Sequence, residues 1–264
     1  MSALPPNAVD LDNVTAVRVG TTQIAEIRAG AIKIWPGGPQ NYREAILADN
    51  PVAYYRLGEP SGNALDEMGG PQGVLSGSPT RAQASLLPNG QGASILLAGT
   101  STQIAIPASA ATNIGGGEWT IEAWIREALN SNVFRTIMAA VTPSAFAVMI
   151  HTADGVSANQ PADRIRVSAG GSQFSPDMTP SPTLARNTVH YLVVTRSSSG
   201  VNVYRNARLI ASRGAGGGTT NNSAGFNIAH TSPMPGHAQE YALYGYALSL
   251  SQIETHFRFA GGQP

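Results

Sequence analysis

Two carboxylates four residues apart, Glu118 and Glu122, are the pair in this chain whose residue types suit glycoside hydrolysis. In that chemistry one carboxyl protonates the leaving oxygen while the other attacks carbon or activates water. Both lie in the run Glu118-Trp-Thr-Ile-Glu-Ala-Trp-Ile-Arg-Glu127, which puts Trp119, Ile121, Ala123 and Ile125 on one side and Glu118, Thr120, Glu122, Trp124 and Arg126 on the other. That period is the period of a β-strand. Four residues rising about 3.3 Å each set the carboxylates roughly 13 Å apart, beyond the roughly 5 to 9.5 Å that hydrolytic pairs use. Thr120 stands between them, so the expectation is two solvated glutamates beside Arg126 and no catalytic residue.

The five histidines, His151, His190, His230, His237 and His256, form no short metal-ligand motif, and only His230 and His237 are close in sequence. They are expected at the surface or at strand edges. Cysteine is absent, which removes disulfides, thiolate metal sites and cysteine nucleophiles together. No Gly-x-Ser-x-Gly, Walker or dinucleotide fingerprint occurs. The run Gly214-Ala-Gly-Gly-Gly218 lacks a following Lys-Ser/Thr and reads as a loop between strands.

Composition points to many short strands. Glycine (29) and proline (18) make up about 18% of the 264 residues, against roughly 12% in average usage. Charged residues are 12%, with 16 basic against 16 acidic. Neither nucleic acid nor an anionic membrane is an expected partner, because both need a positive surplus. The opening Met1-Ser-Ala-Leu-Pro-Pro has no basic segment before an apolar core, and no run approaches 18 apolar residues, so neither a signal peptide nor a membrane span is expected. Together with the missing cysteines this leans toward a protein made in a reducing cytosol and released by lysis.

The elements that must position any site centre on a β-meander. His190-Tyr-Leu-Val-Val-Thr-Arg196 and Val201-Asn-Val-Tyr-Arg205 flank a four-residue turn, and Arg208-Leu-Ile-Ala211 follows. Apolar residues on both faces of the first strand place it centrally in a packed sheet. Further strands are expected at 51–57, 73–76, 93–98, 103–106, 134–141, 145–150, 163–168, 225–229 and 237–244. Asn41 with Glu44, and Ser249 with Gln252, have capping-box spacing and predict helices over 42–49 and 250–259.

Residues 1–40 form a separate segment. After an extended lead over 1–13, Val17-Arg-Val-Gly20 with Gln23-Ile24 is echoed by Ile27-Arg-Ala-Gly30 with Lys33-Ile34. Three strands near 14–19, 23–29 and 31–35 are expected, bending at Gly20 and Gly30, before a boundary at Trp35-Pro-Gly-Gly-Pro39. Such a sheet is too small to stand alone. Its apolar residues Val17, Val19, Ile24, Ile27, Ile34 and Trp35 must pack on the main domain, another copy or a partner, and are the candidate assembly residues. The whole predicts an all-β antiparallel sandwich of jelly-roll type with two short helices.

Residues 42–262 resemble the laminin-G-like, concanavalin-A-like jelly-roll family of bacterial and phage proteins. The matching pieces are Asp49-Asn-Pro-Val-Ala-Tyr-Tyr-Arg-Leu-Gly-Glu-Pro-Ser-Gly62 with Asp66, Trp119-Thr-Ile-Glu-Ala-Trp124, the meander with Val203-Tyr-Arg-Asn206, Gly236-His-Ala-Gln-Glu-Tyr-Ala-Leu-Tyr244, and Ala247-Leu-Ser-Leu-Ser-Gln-Ile253. Two departures stand out. Ala207 replaces the glycine of an Asn-Gly turn in which both residues need positive φ, at a cost of about 1 kcal/mol, so a different turn is expected. Gln239 replaces an aspartate next to Glu240, in a region the resemblance associates with calcium. Calcium is the one candidate cofactor, with Asp66 and Glu240 as its candidate ligands, although calcium usually takes six to eight oxygens. Glycan binding would use aromatic faces among Tyr54, Tyr55, Trp124, Tyr241, Tyr244 and Tyr246, which strand periodicity places mostly in the core.

Val17 to Ile24 and its echo also resemble the start of minor tail proteins from phages of actinobacteria. This resemblance implies a structural virion protein. Residues 1–40 would bind other virion proteins, and residues 41–264 would display a domain toward host-surface glycan. A homo-oligomer is expected, with a decoration protein on the capsid as the alternative placement. A glycoside hydrolase is the alternative of a different class.

Overall fold

The computed structural model describes residues 41–97, 102–110, 112–113, 117–127, 185, 187–214, 225–228 and 236–264 in full, and residues 17–19, 22–24, 27–29, 32–35, 135–140, 148–153, 164–169 and 172–173 as strand backbone. The lead over 1–13, the boundary at 36–39, the glycine loop at 215–218 and His230 lie outside the described residues. In chain order the strands are β1 (Val17–Val19), β2 (Thr22–Ile24), β3 (Ile27–Ala29), β4 (Ile32–Trp35), β5 (Ala53–Tyr55), β6 (Val74–Ser76), β7 (Thr80–Gln83), β8 (Ser94–Leu97), β9 (Gln103–Ile106) and β10 (Trp119–Glu127). They continue with β11 (Arg135–Ala140), β12 (Val148–Ala153), β13 (Arg164–Ala169), β14 (Ser172–Gln173), β15 (His190–Ser197), β16 (Gly200–Arg205), β17 (Arg208–Gly214), β18 (Phe226–Ile228) and β19 (Gly236–Tyr244). The helices are α1 (Tyr42–Ala48) and α2 (Leu250–Phe259).

Alternating apolar residues close two antiparallel sheets on each other. One runs β17-β16-β15-β10-β19-β8-β7 with β5 also on β19, and the other runs β14-β13-β12-β11-β18-β9-β6. Between them lies a core that takes Trp119, Ile121 and Ile125 from β10 and Ile104, Phe226 and Ile228 from the facing sheet, all at most 4% exposed. This is the expected antiparallel sandwich.

The other side of β10 was expected to be mixed, with solvated glutamates, and it is instead a second core. Trp124, Tyr191 and Tyr244 from the large sheet pack there against Tyr42 and Ile46 of α1 and Ile253 and Phe257 of α2. Trp124, Tyr191 and Phe257 form a stack with ring centroids 5.1 to 5.8 Å apart, each pair adding about 0.5–1.5 kcal/mol beyond burial. The large sheet is therefore a middle layer, covered on one face by the second sheet and on the other by both helices. Both helices start where their caps predict. The Asn41 side chain accepts from the Glu44 N–H at 2.9 Å, and Ser249 and Gln252 complete a reciprocal capping box.

Two further expectations are corrected. Among its described residues the N-terminal segment holds four strands rather than three, arranged as two hairpins in which Val17 opposes Ile24 and Ile27 opposes Trp35. Two residues separate the paired ends in each, so every echo unit closes on itself and the expected strand over 23–29 becomes two. The turn at Asn206-Ala207 keeps positive φ at both residues, 52° and 60°, despite the missing glycine. Asn206 holds Tyr191 from both sides, its N–H donating to the Tyr191 carbonyl at 2.8 Å and its side-chain oxygen accepting the Tyr191 N–H at 3.0 Å. Burial of the Ala207 methyl in the second core offsets the rest of the strain.

Candidate functional site

The long strand β19 has two partners on its outer edge. β8 pairs with Gly236, His237 and Ala238, whereas β5 pairs with Tyr241, Ala242 and Leu243. Between these stretches Gln239 and Glu240 pair with neither β5 nor β8, the register against β10 shifts, and Glu240 adopts a φ of 56°. This is a β-bulge, a device that re-aims side chains and recurs beside functional sites. It opens a pocket of about 270 Å³ lined by Arg56, Gly58, Glu59, Leu65, Glu67, Gly92, Ala93 and Glu240.

The bulge fixes the pocket floor. Glu240, 1% exposed, accepts from the Tyr54 hydroxyl on one oxygen and is gripped by Arg56 through Nη2 at 3.2 Å and Nε at 3.3 Å. Burial pushes the Glu240 carboxyl above its ordinary range, against the opposing pull of Arg56, Tyr54 and Gln239. Burial likewise opposes the Arg56 charge, yet the adjacent Glu240 carboxylate raises its pKa. Gln239 ties the floor to the neighbouring loop, accepting the Leu86 N–H at 2.7 Å and donating to the Gln91 carbonyl at 2.9 Å. Gly92 crosses with a φ of +71°, a left-handed backbone that favours glycine, and a Cβ there would crowd Gln239 Nε2 at 2.9 Å and Arg56 Nη2 at 3.1 Å.

The walls are polar with one apolar patch. Glu59 accepts the Leu65 N–H at 2.8 Å, Glu67 pairs with Arg43 at 2.5 Å, and the Leu65 side chain is 51% exposed. No aromatic ring lines the pocket. Tyr54, Tyr55, Trp124, Tyr241 and Tyr244 are buried, as strand periodicity predicted for most of them, and Tyr246 is half-buried.

The two calcium candidates have separate occupations. Asp66 accepts three backbone N–H groups, from Tyr54 at 2.8 Å, Met68 at 3.0 Å and Gly70 at 3.1 Å, and so pins its loop to β5. Glu240 lies in the pocket floor. Among the described residues no group of three or more His, Asp or Glu side chains converges as a metal ion requires. The assembly candidates Val17, Val19, Ile24, Ile27, Ile34 and Trp35 all fall on the four N-terminal strands.

Glu122 and His256 are the residues that sequence reasoning placed wrongly. Neither is solvated; Glu122 is fully buried beneath α2, and His256 is fully buried on the inner face of α2. The Glu122 carboxylate accepts from the Tyr191 hydroxyl, from the Tyr244 hydroxyl at 2.5 Å and from His256 Nδ1 at 3.1 Å, while His256 Nε2 donates to Asp49 at 2.9 Å. A neutral imidazole has one N–H, so donating to two ionised carboxylates takes the imidazolium. Burial opposes that charge, but Glu122 and Asp49 outweigh it and raise the His256 pKa to about 9. Burial, then Glu122, hold the Tyr42, Tyr191 and Tyr244 hydroxyls well above their ordinary range, and the neutral Tyr191 and Tyr244 hydroxyls donate to Glu122. Glu118 lies on the surface, accepting the Ser198 N–H at 3.2 Å. The two glutamates of β10 thus share no cleft, and the Glu-His-Asp series is sealed in the core together with the two tyrosine hydroxyls bonded to it.

Comparison with known proteins bears on the fold. A family model described as the concanavalin A-like lectin/glucanases superfamily matches residues 98–254. No curated protein matches in sequence. Among solved structures, the sialidase of Trypanosoma rangeli with 2,3-difluorosialic acid is similar at 13% identity and a TM-score of 0.59, over 78% of this chain and 32% of that one. The binding domain of botulinum neurotoxin serotype G is similar at 12% identity and a TM-score of 0.56, over 79% and 51%. The receptor-binding domain of the botulinum neurotoxin C/D mosaic gives 12% and 0.57, over 80% and 51%. The chain thus spans about a third to a half of the structures it resembles, which share its fold.

Proposed function

We propose that this chain, which belongs to the concanavalin A-like lectin/glucanases superfamily, binds glycans without cleaving them. The superfamily spans lectins and glucanases, so the choice rests on the site. The observation that carries the proposal is the pocket at the β19 bulge, where carboxylates and a guanidinium, groups that hydrogen-bond sugar hydroxyls, converge beside an exposed leucine. Turnover is disfavoured by the same geometry. Glu240 is engaged on both oxygens, and the pair on β10 is split between a buried core and the surface. A glycan array probed with the full chain is expected to give binding that weakens in Glu67→Gln. Hydrolysis of a bound glycan, lost in Glu240→Gln or Glu122→Gln, would overturn the non-catalytic reading.

The same proposal gives residues 1–40 an attachment role in a virion, first as part of a minor tail protein and otherwise as part of a capsid decoration protein. Two hairpins of three- and four-residue strands, too short to be stable alone, support it by requiring a packing surface. Deletion of residues 1–40 should leave a folded glycan-binding domain and abolish incorporation into particles. Full occupancy by the truncated chain would refute the attachment role.

A further inference from the structure

Granted the glycan-binding reading above, we infer that the pocket at the β19 bulge selects neutral sugars, held through adjacent hydroxyl groups, and discriminates against sugars that carry a carboxylate. The hydrogen-bonding supply of the walls is one-sided. Glu59 uses Oε1 for the Leu65 N–H, and its Oε2 has no partner among the described residues. Glu67 receives both Arg43 Nε at 2.9 Å and Arg43 Nη2 at 2.5 Å on Oε2, which leaves Oε1 without a partner among the described residues. Two anionic acceptors are therefore available to donors from a ligand. A sugar hydroxyl is such a donor; a carboxylate is not.

Charge selects in the same direction. Three glutamates and one arginine line the pocket. The arginine is already committed, since Arg56 Nε and Nη2 both bond the Glu240 carboxylate, and Arg43 outside the lining is taken up by Glu67. An incoming carboxylate would have to share Arg56 with Glu240, whose pairing already offsets the guanidinium charge. A sugar acid placed here would face Glu59 without a compensating cation. At contact distances in a partly enclosed site, such repulsion weakens binding by about tenfold or more.

Size narrows the ligand further. A volume of about 270 Å³ falls just below the roughly 300 Å³ at which ligand pockets usually begin, and suits a terminal sugar more than the interior of a chain. Gly58 keeps one side tight against the Ala93 main chain, and Gly92 lies close over the Gln239 and Arg56 side chains.

The test uses the full chain on an array that pairs neutral oligosaccharides ending in mannose, galactose, glucose or N-acetylglucosamine with the same cores capped by sialic or glucuronic acid. The expected result is binding to at least one neutral terminus and a loss of about tenfold or more on its acid-capped partner. Glu59→Gln and Glu67→Gln, with unchanged thermal midpoints, should each weaken the neutral ligand about tenfold by removing a charged acceptor. They should also narrow the gap to the acid-capped one. Preference for acid-capped glycans, or neutral binding that both variants leave untouched, would overturn the selectivity while leaving the glycan-binding role standing. Absence of binding to every glycan would overturn that role, and the selectivity with it.

Discussion

Replacing His256 with glutamine should remove a fall in stability that the native protein shows between about pH 6.5 and pH 9. In the folded chain both imidazole nitrogens donate to carboxylates, Glu122 and Asp49, inside a fully buried setting. The pKa rises from an ordinary 6.5 to about 9, which corresponds to about 3 kcal/mol at about 1.36 kcal/mol per pH unit. Because the folded pKa is the higher one, the native state binds more protons than the unfolded chain in this window. The stabilisation is complete below pH 6.5 and is lost as pH rises through about 9.

Other groups act elsewhere. His190 and His237 have pKa values lowered by burial, so they reduce stability only as pH falls below their ordinary range. Asp49, which burial would raise, is lowered by its bonds to His256 and Gln252, and loses its contribution only in acid. Urea unfolding of the native chain and of His256→Gln at about pH 6, 7.5 and 9 separates these cases. Native stability should drop by about 3 kcal/mol across the series. The variant should be weaker by about 3–5 kcal/mol at the lowest pH, having left Glu122 without its counter-ion, and nearly flat thereafter. A native profile that is level or rising over this range, or a variant that retains the slope, would refute the imidazolium assignment.

Two further expectations concern the turn and the candidate cation. Ala207→Gly should change stability by no more than about 0.5 kcal/mol, since relief of left-handed strain is offset by lost burial and by glycine's backbone entropy. Ala207→Val should cost about 2 kcal/mol or more, because a β-branched residue at φ 60° is forced into a filled core; thermal unfolding of the two variants measures the difference. Chelation with EDTA should leave the thermal midpoint unchanged, because Asp66 is occupied by backbone N–H groups and Glu240 by Arg56. A calcium-dependent rise abolished by Asp66→Asn would show that this occupancy yields to the ion.

Much of the fold could be read from local chemistry. The caps at Asn41 and Ser249 announced both helices, and β9 falls where its alternating apolar residues put it. β7 escaped notice because Thr-Arg-Ala-Gln has no apolar stripe, as befits an edge strand that buries little. Glu122 was misread for a different reason. Alternation tells which residues of β10 share a face but not what covers that face, and the cover, with His256, comes from 134 residues downstream. The available signal was the aromatic company, since Trp124 and Tyr191 are unusual neighbours for a solvated glutamate. The pocket was equally hidden, because it depends on β5 and β8 sharing one edge of β19, a long-range pairing that no local pattern encodes.

The helix layer also brings the two ends of the folded unit together. Tyr42, at the start of α1, lies 6.3 Å from the Trp124 ring, and Phe257, near the close of α2, lies 5.8 Å from the same ring. Asn89 fastens the last turn by bonding the Phe259 and Ala260 carbonyls. A unit whose ends meet on a single tryptophan can be spliced into a surface loop of another protein, or strung in tandem, with little distortion of its host. Tension applied through those ends would load the clasp around Trp124 first and reach the sandwich only after that clasp opened.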